Sequence, residues 1–174
     1  MRFILIGGSV ILAILLQASV FPALAFLSVT PNILLILTVA YAILYGRMYG
    51  LFVGVVCGFL MDLYSGFLPG FTAMIFACMG YVTGAFTRTF DYEDYKLPAF
   101  VIIACDLVYG IVVYVTSFMI GGLISPFSAL WEVILPEVVF TGLVTVFLYP
   151  LLVYFNRIIT ARSGKREKKF TADR

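Results

Sequence analysis

The stretch GRMYGLFVGVVCGFLMDLYSGFLPG, residues 46 to 70, sets glycine at Gly46, Gly50, Gly54 and Gly58, a carboxylate at the next step, Asp62, and glycine again at Gly66 and Gly70. Four residues slightly exceed one helical turn, so these positions trace a slowly drifting ridge along a helix. The ridge has no side chains and lets a second backbone approach closely, which is how helices pair in a membrane where lipid is as apolar as they are. Asp62, at its end, must reach the edge of a bilayer or face protein, because lipid penalises its charge.

The rest of the chain is equally apolar. Of 174 residues, 63% are hydrophobic and 11% charged, and mean hydropathy is +1.12. These values exclude an ordinary soluble domain. About 20 apolar residues cross the hydrocarbon, and candidate runs lie at 3–21, 32–45, 50–64, 71–87, 98–120 and 132–155. The sequence predicts an all-α polytopic membrane protein, with a six-span domain over 1–156 and a basic tail over 157–174. No soluble domain is left, so function must lie in the membrane, on short loops, or with partners.

Individual runs carry further expectations. Ala23-Leu24-Ala25 imitates a signal-peptidase site, but the run after Arg2 is long enough to span and is expected to stay as the first helix. Pro31 and Asn32 open the second run. From Ile33 to Tyr45 it reaches only about 20 Å, so it must tilt little or thin the bilayer. The fourth run holds a second small-residue pair, Gly80 and Gly84. Pro136 and Pro150 are expected to bend the sixth. Arg2, Arg47, Arg88, Lys96 and the tail fall on one side, and 23–31, 65–70 and 121–131 contain no Lys or Arg. That asymmetry predicts both termini in the cytoplasm.

Catalysis finds little support. There is no histidine, which removes the commonest general base and metal ligand. Cys57, Cys78 and Cys105 form no C-x-x-C and read as small packing residues. Neither a cofactor, a metal nor a catalytic residue is expected.

Asp62, Asp106 and Glu137 are the ionisable residues within or at the edge of apolar runs, and each would cost roughly 3 kcal/mol if charged at mid-bilayer against lipid. Asp62, toward the outer end of span three, reaches interfacial water or caps the loop at Ser65 and Gly66, or else faces a partner or ligand. Glu137 lies about one turn into span six and can share its depth. Asp106, beside Tyr109 and Gly110, is expected to hydrogen-bond inside the bundle, with a proton or ion site as the other reading.

The glycine ridge either packs against another span of this chain or docks a partner helix, and its drift lets Gly50 and Gly58 serve two neighbours. Arg157, Arg162, Lys165, Arg166, Lys168 and Lys169 directly follow a span. They read as an anchor on anionic lipid, at about 1 kcal/mol per charge, and not as a nucleic-acid site. The loop from Arg88 to Leu97 reads as a docking loop or a plain connector.

Pro31-Asn32 followed by aliphatics, the ladder Gly50, Gly54 and Gly58 ending at Asp62, and then Gly66 and Gly70 resemble MreD, the family of rod shape-determining membrane proteins of bacteria. The likeness covers the chain in length, number of spans and basic C-terminus, and its specific motif lies within Pro31 to Gly70. Loops and the second half match only in general character. The resemblance implies a non-catalytic scaffold of the cell-elongation machinery in the bacterial inner membrane, controlling cell shape and peptidoglycan synthesis. Its implied partners are the bitopic MreC, the actin-like MreB, the polymerase RodA and a class B penicillin-binding protein.

The family is also similar in fold to the substrate-binding subunits of energy-coupling-factor vitamin transporters. That kinship supplies the alternative, a solute-binding subunit with Asp62, Glu137 and outer-loop aromatics around a pocket. Those subunits dock their coupling partner through small residues in the first span. Here Gly8, Ser9 and Ala13 make no sustained ladder, and the ladder lies in span three, which favours the shape protein. Gly46, Gly50, Gly54, Gly58, Gly66 and Gly70 are then the helix-packing or partner interface, and Pro31, Asn32, Asp62, Asp106 and Glu137 the functional candidates. On this reading, glycine-lined grooves accept the membrane helix of MreC.

Overall fold

The computed structural model describes residues 2–23, 30–66, 68–86, 96–121 and 134–172. Among the described residues six helices follow one another: α1 (Arg2–Ala23), α2 (Ile33–Tyr45), α3 (Arg47–Ser65), α4 (Phe71–Phe86), α5 (Lys96–Gly121) and α6 (Leu135–Ala172). Arg47–Ser65, Leu97–Met119 and Leu135–Tyr154 are long and apolar enough to cross a membrane, whereas Ile33–Tyr45 and Phe71–Phe86 are shorter apolar helices. The expected docking loop from Arg88 onward and the peptidase-like site beyond Ala23 lie outside the described residues.

α2 organises the bundle. Its sequence is apolar on every side, the pattern of a helix enclosed by others, and every residue from Ile33 to Ile43 is buried. Each of the other five helices packs against it. Neighbouring helices, not lipid, therefore cover this 13-residue element, which is why its shortness is tolerated. Its first turn is closed by Asn32, whose side-chain oxygen accepts from the Leu35 N–H at 3.2 Å, satisfying one of the free donors of a helix start. The hydroxyls of Ser9 and Tyr41 meet at 2.7 Å and tie α1 to it.

A single residue, Gly46, joins α2 to α3. Its φ of 91° lies where side-chain-bearing residues are disfavoured. Its N–H closes α2 on the Ala42 carbonyl at 2.9 Å, and its own carbonyl accepts from Gly50 N–H at 3.0 Å, which begins α3. That continuity starts α3 at Arg47, ahead of the apolar run. Gly66, with φ 63°, ends it, donating to the Asp62 carbonyl at 3.0 Å, a left-handed cap that glycine adopts without strain.

α6 begins at Leu135 and places Pro136 in its first turn, where a missing N–H costs no helical bond. Pro150 lies inside the helix, which continues to Ala172. The segment expected as a separate tail is thus continuous in backbone with the span before it.

Candidate functional site

The ridge on α3 is filled from within the chain by α4. A Cβ added at Gly54 would stand 2.6 Å from the Phe76 carbonyl carbon and 2.9 Å from the Ala77 nitrogen. At Gly58 it would meet the Ala73 nitrogen at 2.7 Å, and at Gly50 the Gly80 carbonyl carbon at 2.8 Å. The contact is reciprocal. A Cβ on Gly80 would lie 2.6 Å from the Gly50 carbonyl carbon, and one on Gly84 2.5 Å from Arg47 Cα. Two backbones are pressed together with nothing between them, as small-residue seams permit. Drift of the ridge shows at Gly50, which also meets the Ala42 Cβ of α2 at 2.5 Å.

The structure divides the ladder between two tasks. Gly66 and Gly70 have positive φ and open space where a Cβ would be and shape turns outside the seam, whereas Gly46, also at positive φ, turns the chain and borders the seam, its carbonyl carbon 2.8 Å from a Cβ added at Gly84. The face of α3 turned away from α4 carries Phe52, Val55, Val56, Phe59 and Leu63, all exposed.

Asp62 is buried at the end of the seam. Its Oδ2 accepts from the Gly70 N–H at 2.8 Å and the Ala73 N–H at 3.3 Å, and its Oδ1 from the Thr72 N–H at 3.0 Å. These are donors at the start of α4, where intrahelical acceptors are missing and the positive end of the helix dipole attracts an anion. The expectation of a cap at Ser65 and Gly66 is corrected on this point: the side chain reaches across the turn and caps the next helix. That bond set locks α3 and α4 into one hairpin.

Asp106 departs from expectation. It is 1% exposed, yet neither carboxyl oxygen has a hydrogen-bond partner. The Thr141 hydroxyl of α6 lies beside it, outside hydrogen-bond geometry to it, and instead accepts from the Asn32 N–H at 3.2 Å. Asn32, also 1% exposed, spends its oxygen on α2 and leaves its Nδ2 without an acceptor. Pro31, equally buried, leads the chain into this point.

Glu137 stands one turn before Thr141 on α6, half-buried and within electrostatic reach of Asp106. Tyr109 lies buried one turn beyond Asp106 on α5. Its ring meets Phe76 edge-on, with centroids 5.2 Å apart, a favoured aromatic geometry. Among the described residues no group of three His, Cys, Asp or Glu side chains is placed to hold a metal.

Sequence reasoning missed part of this polar core. Thr141, Thr145 and Tyr149 follow Glu137 at four-residue steps and are fully buried, a stripe that its own periodicity discloses. Gln17 of α1 is likewise buried, with its Nε2 on the Met61 sulfur at 3.4 Å.

Apolar grooves mark the outside of the bundle. One of about 620 Å³ runs between α1 and α3, lined by Gly7, Val10, Met48, Phe52, Val56 and Leu60 among others. A second, of about 540 Å³, separates α4 from α5.

Comparison with known families matches residues 1–159 to the family described as MreD: rod shape-determining protein MreD. No curated protein matches. No solved structure matches either, so the fold likeness expected to vitamin-transporter subunits stays an expectation.

Proposed function

Because the chain belongs to the MreD family, as the match over residues 1–159 shows, we propose that it is a non-catalytic scaffold of the bacterial cell-elongation machinery. It lies in the inner membrane with both termini cytoplasmic, and it acts on cell shape and peptidoglycan synthesis by binding the membrane helix of MreC. RodA, a class B penicillin-binding protein and MreB are the further members of the assembly. The basic residues from Arg157 to Lys169 hold the end of α6 at anionic lipid.

Since α4 already fills the α3 seam, the partner helix takes another surface, and the groove between α1 and α3 suits it best. The observation that carries this is bare backbone on one wall. A Cβ added at Gly7 would meet nothing within 4 Å, whereas the other wall offers Phe52 and Val56, 68% and 51% exposed. Small residues facing large ones let a single helix seat closely. The transporter alternative is weakened at one of its candidate ligands, because Asp62 accepts from three backbone donors.

A photocrosslinking residue at Val56 tests the reading, with one at Val82 in the α4/α5 cleft as control. Recovery of MreC from Val56 and not from Val82 is the expected result. Crosslinks from Val56 to lipid alone would refute it.

A further inference from the structure

The buried polar junction of α2, α5 and α6 is incomplete as a set of hydrogen bonds. Asn32 Nδ2 is a donor without an acceptor, and both oxygens of Asp106 are acceptors without a donor. Either group would satisfy the other if they touched, and neither does. Both residues are 1% exposed, and both meet the Thr141 hydroxyl, Asn32 through its main-chain N–H and Asp106 through its side chain, so the unpaired groups belong to residues joined at one side chain. Buried polar groups in folded proteins are nearly always paired, with protein or with internal water.

Chemistry narrows what completes the set. A metal cation would satisfy the carboxylate but would be opposed by the amide donor of Asn32 and by the N-terminal end of α2, which is the positive end of its dipole. An anion would suit the amide and be repelled by Asp106. Water accepts from Nδ2 and donates to a carboxyl oxygen, and it is small enough for the interior of a packed bundle.

The charge of Asp106 needs an answer as well. From α6 it faces Glu137, which is also acidic, and on α5 it is flanked by Cys105 and Tyr109. α2 and α4 contain no Asp, Glu, Lys or Arg. No cation stands opposite it among these groups, and a proton neutralises a carboxyl that has no counterion.

We propose that Asn32, Asp106 and Thr141 enclose an internal water shared between the Asn32 amide and a protonated Asp106 carboxyl, forming a hydrated proton-binding site inside the bundle. The water accepts from the Asn32 Nδ2 and donates to the carbonyl oxygen of the Asp106 acid group. The site is independent of partner docking, since it lies within the chain and not in the outer grooves.

Infrared spectroscopy of the full chain in lipid nanodiscs reads it directly. At neutral pH the wild type should show the carbonyl stretch of a neutral carboxylic acid, absent from Asp106→Asn and retained in Glu137→Gln. Its frequency should be that of a hydrogen-bonded acid, should shift on exchange into heavy water, and should rise toward the free-acid value when the film is dried. Absence of any Asp106-dependent acid band would overturn the proton site. A band at the free-acid frequency, unmoved by drying, would overturn the water. Should Asp106→Asn fail to fold, carboxyl-labelled aspartate in the unaltered chain gives the same reading: a protonated aspartate band supports the proposal, and none refutes it.

Discussion

The two sides of α4 are built on opposite principles. Toward α3 it presents Ala73, Gly80 and Gly84, and the helices meet backbone to backbone along their length. Toward α5 it presents Met74, Cys78, Val82 and Phe86, and the two helices stand apart around an apolar cleft. Hydrophobicity does not separate these faces, since both are apolar. Side-chain size does, because helices inside a membrane associate through close packing and gain little from burying grease in grease.

That contrast is best attacked at Gly54. Its replacement by leucine drives a branched side chain into the Phe76 carbonyl, where main-chain atoms cannot rotate aside, and should cost about 3 kcal/mol or more. Thermal unfolding in detergent measures it, and wild-type stability would show that the seam is not tight. Removing the cap at the end of the same seam, Asp62→Ala, leaves the N–H groups of Gly70, Thr72 and Ala73 without their acceptor and should cost about 2 kcal/mol. Asp62→Asn keeps one acceptor oxygen and should lose less. If both variants unfold alike, the carboxylate does not hold the hairpin.

Away from the seam the effects shrink. Asn32→Ala removes the cap of α2 and is expected to cost about 1 kcal/mol, read in the same unfolding assay. A neutral outcome would mean the buried N-terminus of α2 is satisfied otherwise. On the open side of α4, Met74→Ala changes a side chain that is 64% exposed and should stay within about 0.5 kcal/mol of wild type. A large loss there would place an unseen neighbour in the cleft.

The seam was legible because its signal is periodic and doubled: a four-residue glycine step in span three, with Gly80 and Gly84 offering the complement in span four. Helix number was legible for the same reason, since apolar runs broken by glycine, proline and charge delimit spans. The split of the ladder was not. Gly46 and Gly54 look identical in a sequence, and only the backbone distinguishes a turn at positive φ from a contact point.

Asp106 resisted reading for another reason. A carboxylate in an apolar run says that something must compensate it, but the groups beside it come from α2 and α6, and no local pattern joins Asn32 to Thr141 across the chain. The burial of α2 was hidden too. A stretch such as ILLILTVAYAILY reads the same whether lipid or protein surrounds it.

The enclosure of α2 has a consequence for biogenesis. Made after α1, it precedes α3, α4, α5 and α6, four of the five elements that sheathe it. At about 20 Å it falls short of a hydrocarbon layer of about 30 Å, so it has no settled seat beside α1 alone. The early helix is therefore the late one to be secured, and its final placement waits on the translocon delivering the C-terminal half.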